Sequence, residues 1–442
     1  MKASTGKLST AEDFIANFDI HQDEIFLNNS NQYKELRKNA IAAFESLGIP
    51  SRRSEEWKYT NVAKALNRDW VQFPSETKKI SPDDIDSCLI PGLDAYTLVF
   101  YNGKRIPFSE SDSDSAVIKE FSDLISSDIS NVVSLDLGSD AFDTLNLAFA
   151  IDGAIINVPD NCVLDKPLYL LYISSPDDNL FIQNRNVIEI GKNSEATIIE
   201  ARISLSSSND FQVFSNNVTE IHCENNSKLD HYQFQIKGQS GAASINKYLV
   251  KQEANSTYTS TNINLGGQLV RNNLEVVHEG EGCETNLFGL YHLIGNQHLD
   301  NHTLIDHKMP NCNSNELYIG VLDDKSTGVF NGKVLVRKDA QKTNAFQSNK
   351  NILLTDDAKM NAKPQLEIYA DDVKCSHGAT TGQLNQEALF YLRSRGISKK
   401  LALTMLMEAF MKEVLDKIKI KELKNFLTEK LELRLNVGDQ GR

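Results

Sequence analysis

Residues 284–336 read ETNLFGLYHLIGNQHLDNHTLIDHKMPNCNSNELYIGVLDDKSTGVFNGKVLV. The apolar runs in this stretch are short. They centre on Leu290, Leu304, Tyr318 and Leu335, and turn-forming clusters such as Asn311-Cys312-Asn313-Ser314 and Asp323-Asp324-Lys325-Ser326 separate them. β-Branched and aromatic residues bounded by Asn, Gly, Ser and Asp point to short strands. Upstream, further centres fall at Phe234, Tyr248, Ile263 and Val276, so the steps from Phe234 to Tyr318 are 14, 15, 13, 14, 14 and 14 residues. Glu224-Asn225-Asn226-Ser227 and Gly280-Glu281-Gly282 supply turns among them. Downstream, Leu335, Leu353 and Ile368 continue the series at 17, 18 and 15. Apolar alternation is clear in Tyr232, Phe234 and Ile236 and again in Leu366, Ile368 and Ala370.

A step near 14 residues leaves too little chain for a crossover helix, which rules against a βαβ fold. The spacing fits an antiparallel meander, and it equally fits a β-solenoid with two main strands in each coil of about 28 residues. The period alone does not separate them.

The flanks read differently. Toward the N-terminus, Tyr33, Leu36, Ala40, Phe44 and Leu47 recur at helical steps, and Gly48 and Pro50 supply a stop. A charged cluster follows, Arg52 to Tyr59, expected to be a solvated face anchored by Trp57 and Tyr59. Leu98-Val99-Phe100 before Asn102-Gly103 is the first strand signal, and Ser109 to Ser115 reads as a loop with short helices after it. Beyond residue 385, Ala388, Leu389 and Leu392, then Leu401, Met405, Leu406, Ala409, Phe410 and Leu415, form an apolar stripe. Gly396 breaks it, Ser398 is an N-cap, and a third segment runs from about Lys421 to Leu435. The division expected is a helical region at 1–95, a β core at 96–384 with an insert near 109–147, and a helical region at 385–442.

The 442 residues are 40% hydrophobic and 24% charged, ordinary for a globular protein, with a formal charge of −14. That charge disfavours binding to nucleic acid or anionic lipid. Residues 385–442 carry 12 Lys+Arg and 8 Asp+Glu, a local +4 that suggests a docking surface for a partner as readily as a solvated helical face. No apolar run spans a membrane, Met1 to Thr10 lacks a secretory apolar core, and the six cysteines form no CxxC pair. A reduced, cytoplasmic protein is expected, with five of the cysteines as fillers.

No catalytic signature emerges. Gly328 to Val334 has three residues between its glycines and a valine where a phosphate loop needs Ser or Thr, so it is rejected as a nucleotide site. His292, His298, His302 and His307 lie among strand signals. There, positions i and i+4 stand far apart, and structural roles are expected. Cys375 and His377 follow the strand series at i and i+2, which in an extended segment puts a thiol and an imidazole on one face. Both ligate iron or zinc, and neither alone saturates a metal.

The run from Leu366 to Leu384, with Ala388 to Ile397 after it, resembles the SufB/SufD family of iron–sulfur cluster assembly proteins. So do Phe330-Asn331-Gly332-Lys333, Lys342-Thr343-Asn344-Ala345, Asn349 to Leu354, Glu56-Trp57-Lys58-Tyr59-Thr60 and Asn157-Val158-Pro159. Ala370-Asp371-Asp372-Val373-Lys374-Cys375-Ser376-His377-Gly378 is similar to the SufD-type branch, where the SufB type has Gly-Asp-x-Cys-Gly-Ala-His. The resemblance implies a right-handed parallel β-helix with helical ends. It implies a scaffold that is not itself an enzyme, paired with a SufB-like paralogue and with a SufC-like ATPase docked on the C-terminal helices. It also implies a transient iron–sulfur cluster shared across the paralogue interface, with His377 as a contributor and Cys375 as its neighbouring thiol. A flavin is allowed at the level of the complex. Two other readings compete. One is a β-helix enzyme acting on acidic polysaccharide, disfavoured by the missing signal and basic tail. The other is a metal-binding or interaction protein working as a homodimer.

Overall fold

Each apolar centre of the spaced series sits in a strand of its own. Phe234 lies in Lys228–Ile236, Tyr248 in Ala242–Gln252, and so on through Ile368 in Lys359–Ile368. The computed structural model describes residues 6–73, 79–108, 118–119, 121–126, 140–175, 178–205, 212–236 and 242–437. Consecutive strands alternate between two sheets, and each strand pairs in parallel with the strand two places on. The chain is therefore a parallel β-solenoid, and the meander is excluded. Among the described residues, one sheet has nine strands and the other ten, and each begins with a short antiparallel strand, Ile118–Lys119 in the first and Lys104–Ile106 in the second. The Asn102-Gly103 signal makes that second hairpin, with both residues at positive φ, 49° and 88°. The loop expected at Ser109–Ser115 lies outside the described residues.

The corner leading into the second sheet is fixed by residues in the left-handed region. Asn161, Asn193, Asn226, Asn255, Gly282, Asn311 and Lys342 all have φ between 56° and 72°. Asn and Gly tolerate this conformation best, which is why the turns are rich in them. The asparagines also bond along the solenoid axis: Asn226 Nδ2 donates to Asn193 Oδ1, and Asn193 Nδ2 to Asn161 Oδ1, each at 2.9 Å. A second ladder runs inside the coils from Asn217 through Asn246 and Asn272 to Asn301, again at 2.9 Å per step. Amide ladders satisfy their own donors and acceptors in the dry interior, where unpaired polar groups are costly.

The solenoid interior is aliphatic and aromatic between these ladders, from Leu170 and Ile188 through Tyr248 and Tyr291 to Phe330. Space is tight: Gly289 faces Tyr318 and Gly320 faces Tyr291, and an added Cβ would come within 2.1 Å of the ring in either case. Both outer faces are covered. The N-terminal helices, Ala11–Ile20 and Asn31–Leu47, pack Phe14, Phe18 and Phe44 with Phe149, Phe181 and Phe214 over the first sheet. The expected stop is present, since Gly48 takes φ 65° and its N–H bonds to Phe44. Trp57 is buried, stacked under Arg271 at 3.9 Å, whereas Tyr59 is 40% exposed, so only one of the two aromatics anchors that cluster.

On the second sheet, Lys399–Leu415 and Lys421–Val437 pack Met407, Met411, Val414, Phe426 and Leu431 against Phe234, Leu290 and Ile319. Ser398 caps the first of these, its Oγ accepting from Leu401 N. The stripe read from sequence packs in part: Leu406, Phe410 and Leu415 face the core, and Leu401, Met405 and Ala409 do not. Leu401 is 53% and Met405 40% exposed, while Ala402, Met407 and Met411 lie inside. A helix hydrophobic around much of its circumference gives period-based reasoning two candidate faces.

Buried charge is handled in two ways. Glu200 is enclosed but bonded to Arg202 at 2.8 Å and His231 at 3.0 Å, and these partners outweigh burial and hold it down near 2. Glu316 has only neutral partners, Gln347 Nε2 at 2.6 Å among them, and burial pushes its carboxyl up to about 7. A carboxyl raised in the folded state keeps a proton that the unfolded chain has released. Stability is then fully present below the unfolded value of 4.5 and falls as pH rises through about 7. Glu316→Gln should remove that fall. Urea unfolding at pH 5.5 and pH 8 should show the wild type losing about 2 kcal/mol relative to the variant between the two. An equal gap at both pH values would contradict the assignment.

Arg37 is also fully buried. Its guanidinium donates to the carbonyls of Leu147, Ala148 and Ala150 at the end of helix Ala141–Phe149, and its Nε to Asn29. These are the orphan carbonyls of a helix C-terminus. Arg37→Ala should cost about 3 kcal/mol in chemical denaturation, because it strands buried acceptors. A change below about 0.5 kcal/mol, the size of an ordinary surface substitution, would show that water replaces the side chain.

Candidate functional site

Among the described residues, no strand stacks on the last coil of the solenoid. The last strand of the first sheet, Lys359–Ile368, and that of the second, Lys374–Gly382, are each paired on one side only. Lys359–Ile368 is mostly half-buried and Lys374–Gly382 mostly exposed, where the residues of earlier strands are largely buried. Register places Cys375 opposite Ala345 and His377 opposite Gln347. Ala345 and Gln347 are buried, interior-facing positions, so Cys375 and His377 continue two inward rows onto a coil with nothing stacked above it. Cys375 is half-buried, and burial pushes its thiol up against the pull of the Ala345 backbone. His377 is exposed. Phe346, Ile368 and Tyr369 expose apolar surface in the last two coils. A thiol and an imidazole on one face form half of a metal coordination sphere, and an unpaired strand edge is a template for a further strand.

The histidine cluster separates into distinct roles. His298 bonds Thr60 Oγ1 at 2.8 Å, and His302 bridges Asp300 at 2.9 Å and Glu56 at 3.3 Å. Arg271 Nη1 reaches the same Asp300 at 2.7 Å. These groups pin the 56–60 segment to the first sheet beside a cleft of about 590 Å³ lined also by Lys247 and Lys333. His292 is buried, and burial followed by repulsion from Arg434 lowers it to about 3, so it stays neutral. The rejected Gly328–Val334 segment is part of a strand, Thr327–Val336, and not a loop.

His307 is a satisfied, buried histidine, and it does not stand alone. It meets His278 and Cys312, and the ligand atoms of all three lie within 4.8 Å of one another. Cys283 occupies the equivalent place one coil earlier, outside that group of three, and its thiol faces the Gly280 carbonyl at 3.1 Å, as Cys312 does at 3.5 Å. The signal was present in the sequence as a repeat: His278 and His307, Cys283 and Cys312, and Thr285 and Ser314 are each 29 residues apart. That spacing becomes informative only once the coil length is known.

Comparison with known proteins agrees with this architecture. Residues 172–410 match the family described as SUF system FeS cluster assembly, SufBD core domain, and residues 8–170 match the SufBD protein N-terminal region. An iron–sulfur cluster assembly SufBD family protein of Synechocystis is 32% identical over 421 residues, covering 92% of this chain and 91% of that protein. The iron–sulfur cluster assembly protein SufD of Escherichia coli is 32% identical over 395 residues, covering 88% and 90%. With both halves of the sequence matched and the solenoid in place, this chain belongs to the SufBD family of the Suf iron–sulfur cluster assembly system.

Proposed function

We propose that this chain is a SufD-type scaffold subunit, itself without catalytic activity, that works in the cytoplasm as part of a Suf complex. The observation that carries the reading is the uncovered last coil, which presents an unpaired strand edge together with Cys375 and His377. A SufB-like paralogue adds its own strands to that edge and supplies the remaining ligands. The iron–sulfur cluster is cargo: a site with half its ligands on each subunit assembles a cluster and releases it when the halves part. His377 is the principal contributor from this side, and Cys375 is its neighbour.

The C-terminal region, 385–442, is the docking surface for a SufC-like ATPase. Phe390 and Tyr391 are 75% and 57% exposed there, beside the exposed Leu401 and Met405, on a segment carrying a local excess of positive charge. Exposed aromatics rimmed by charge are the usual composition of a protein–protein contact. Residues 96–384 are the core region that carries the edge, and 1–95 the N-terminal helical region. A flavin fits the reading only at the level of the complex. The second reading, a homodimer, is favoured by the same open edge whenever the paralogue is missing.

Co-expression with SufB-like and SufC-like partners, purification and anaerobic reconstitution test this. The expected result is a ternary complex whose iron and sulfide content falls about tenfold in His377→Ala, with assembly unchanged. A complex that never forms, or a cluster indifferent to both His377 and Cys375, would defeat the proposal.

A further inference from the structure

The interior group at His278, His307, Cys283 and Cys312 does not belong to the open edge, and it is built in a way that suggests a ligand. It arises where the first sheet's strands Leu269–His278 and His298–His307 end and the chain turns into Glu284–Leu293 and Asn313–Leu322. His278 and His307 are register partners on neighbouring coils. Cys283 and Cys312 are neighbours in the same way, with Asn313 N donating to Cys283 O at 2.8 Å. All four are fully enclosed.

The imidazoles turn their Nδ1 atoms toward each other, 3.1 Å apart. That is the spacing of two ligands sharing one ion at the roughly 2 Å metal–nitrogen distance of zinc. Their other nitrogens are held from behind: His278 Nε2 meets Thr285 Oγ1 at 2.8 Å, and His307 Nε2 meets Ser314 Oγ at 3.0 Å. Thr285 in turn bonds the Gln252 side chain. A hydroxyl behind each imidazole fixes its orientation and leaves Nδ1 free to ligate, the usual support of metal-binding histidines.

We propose that His278, His307 and Cys312, whose ligand atoms already lie within 4.8 Å of one another, form a closed site for a single zinc-type divalent transition-metal ion, completed by Cys283 once its thiol turns from the Gly280 carbonyl. Two neutral imidazoles and two thiolates are the tetrahedral donor set of structural zinc. The charge balances: one dication enters, the two thiols release two protons, and the enclosed centre carries no net charge, as a dry interior requires. In the metal-free arrangement, the thiols instead donate to backbone carbonyls, Cys283 to Gly280 at 3.1 Å and Cys312 to Gly280 and Pro310 at 3.5 Å.

The location gives the ion a structural task. At this corner the left-handed position is held by Gly282, which has no side chain to bond along the solenoid axis as Asn193 and Asn226 do. A metal bound by both coils clamps them where no such side-chain rung is made. This inference is independent of the proposed partners.

The test uses the full chain alone, produced in zinc- or cobalt-supplemented medium because the site is closed, with metal content measured after desalting. One zinc per chain is expected. The cobalt form should show the strong visible bands of a tetrahedral ion and a near-ultraviolet sulfur-to-cobalt band. Cys312→Ser and His307→Gln should abolish both, and Cys375→Ser with His377→Ala should leave them intact. Should the ligand variants fail to fold, Thr285→Val keeps every ligand and should weaken metal retention against a chelator by about tenfold. A wild-type chain that carries no metal, or a cobalt spectrum that survives Cys312→Ser, would overturn the proposal. So would Thr285→Val with unchanged retention.

Discussion

Backbone hydrogen bonding along the solenoid axis is the constraint on which the rest of this molecule depends. Each strand is satisfied only by the strand one coil before and the strand one coil after, so every coil must stay in register with its neighbours. Register then stacks like positions on like. Asparagine meets asparagine, left-handed corner meets left-handed corner, and histidine meets histidine. A residue's environment is decided less by its sequence neighbours than by what occupies the same place about one coil away.

That stacking also explains how so much polarity survives inside. Where partners align, as with Glu200, Arg202 and His231, the charge is held by its own network. Where they do not, as at Glu316, the group stays protonated into the neutral range. Both behaviours come from one low-dielectric interior, and the difference lies in which side chains the register supplies.

Much of the fold was legible. The strand centres from Phe234 to Ile368 were readable because each coil repeats an apolar core position between turn residues that tolerate positive φ. The helix from Tyr33 to Leu47 and its Gly48 stop followed from the helical period and one glycine. Strand direction was not legible, since a 14-residue step suits a meander and a solenoid alike, and the family resemblance had to decide. The stripe on the helix at Lys399–Leu415 was legible at Leu406, Phe410 and Leu415, which pack, but Leu401 and Met405 continue it on the exposed side, where no period separates them. At the open edge, Cys375 and His377 could be put on one face from extended geometry alone. The interior pair of His278 and His307 could not be found, because residues 29 positions apart become neighbours only through the coil.

The two ends of the solenoid differ. At one, the sheets finish in Lys104–Ile106 and Ile118–Lys119, antiparallel edges too short to template a further coil. At the other, Lys359–Ile368 and Lys374–Gly382 are bare. A rod with two bare ends could add copies of itself indefinitely, as cross-β material does. A rod with one blunted end is monovalent, and pairing through its free end stops at two chains. The geometry that leaves the cysteine and histidine accessible thus also denies the chain a route to filaments.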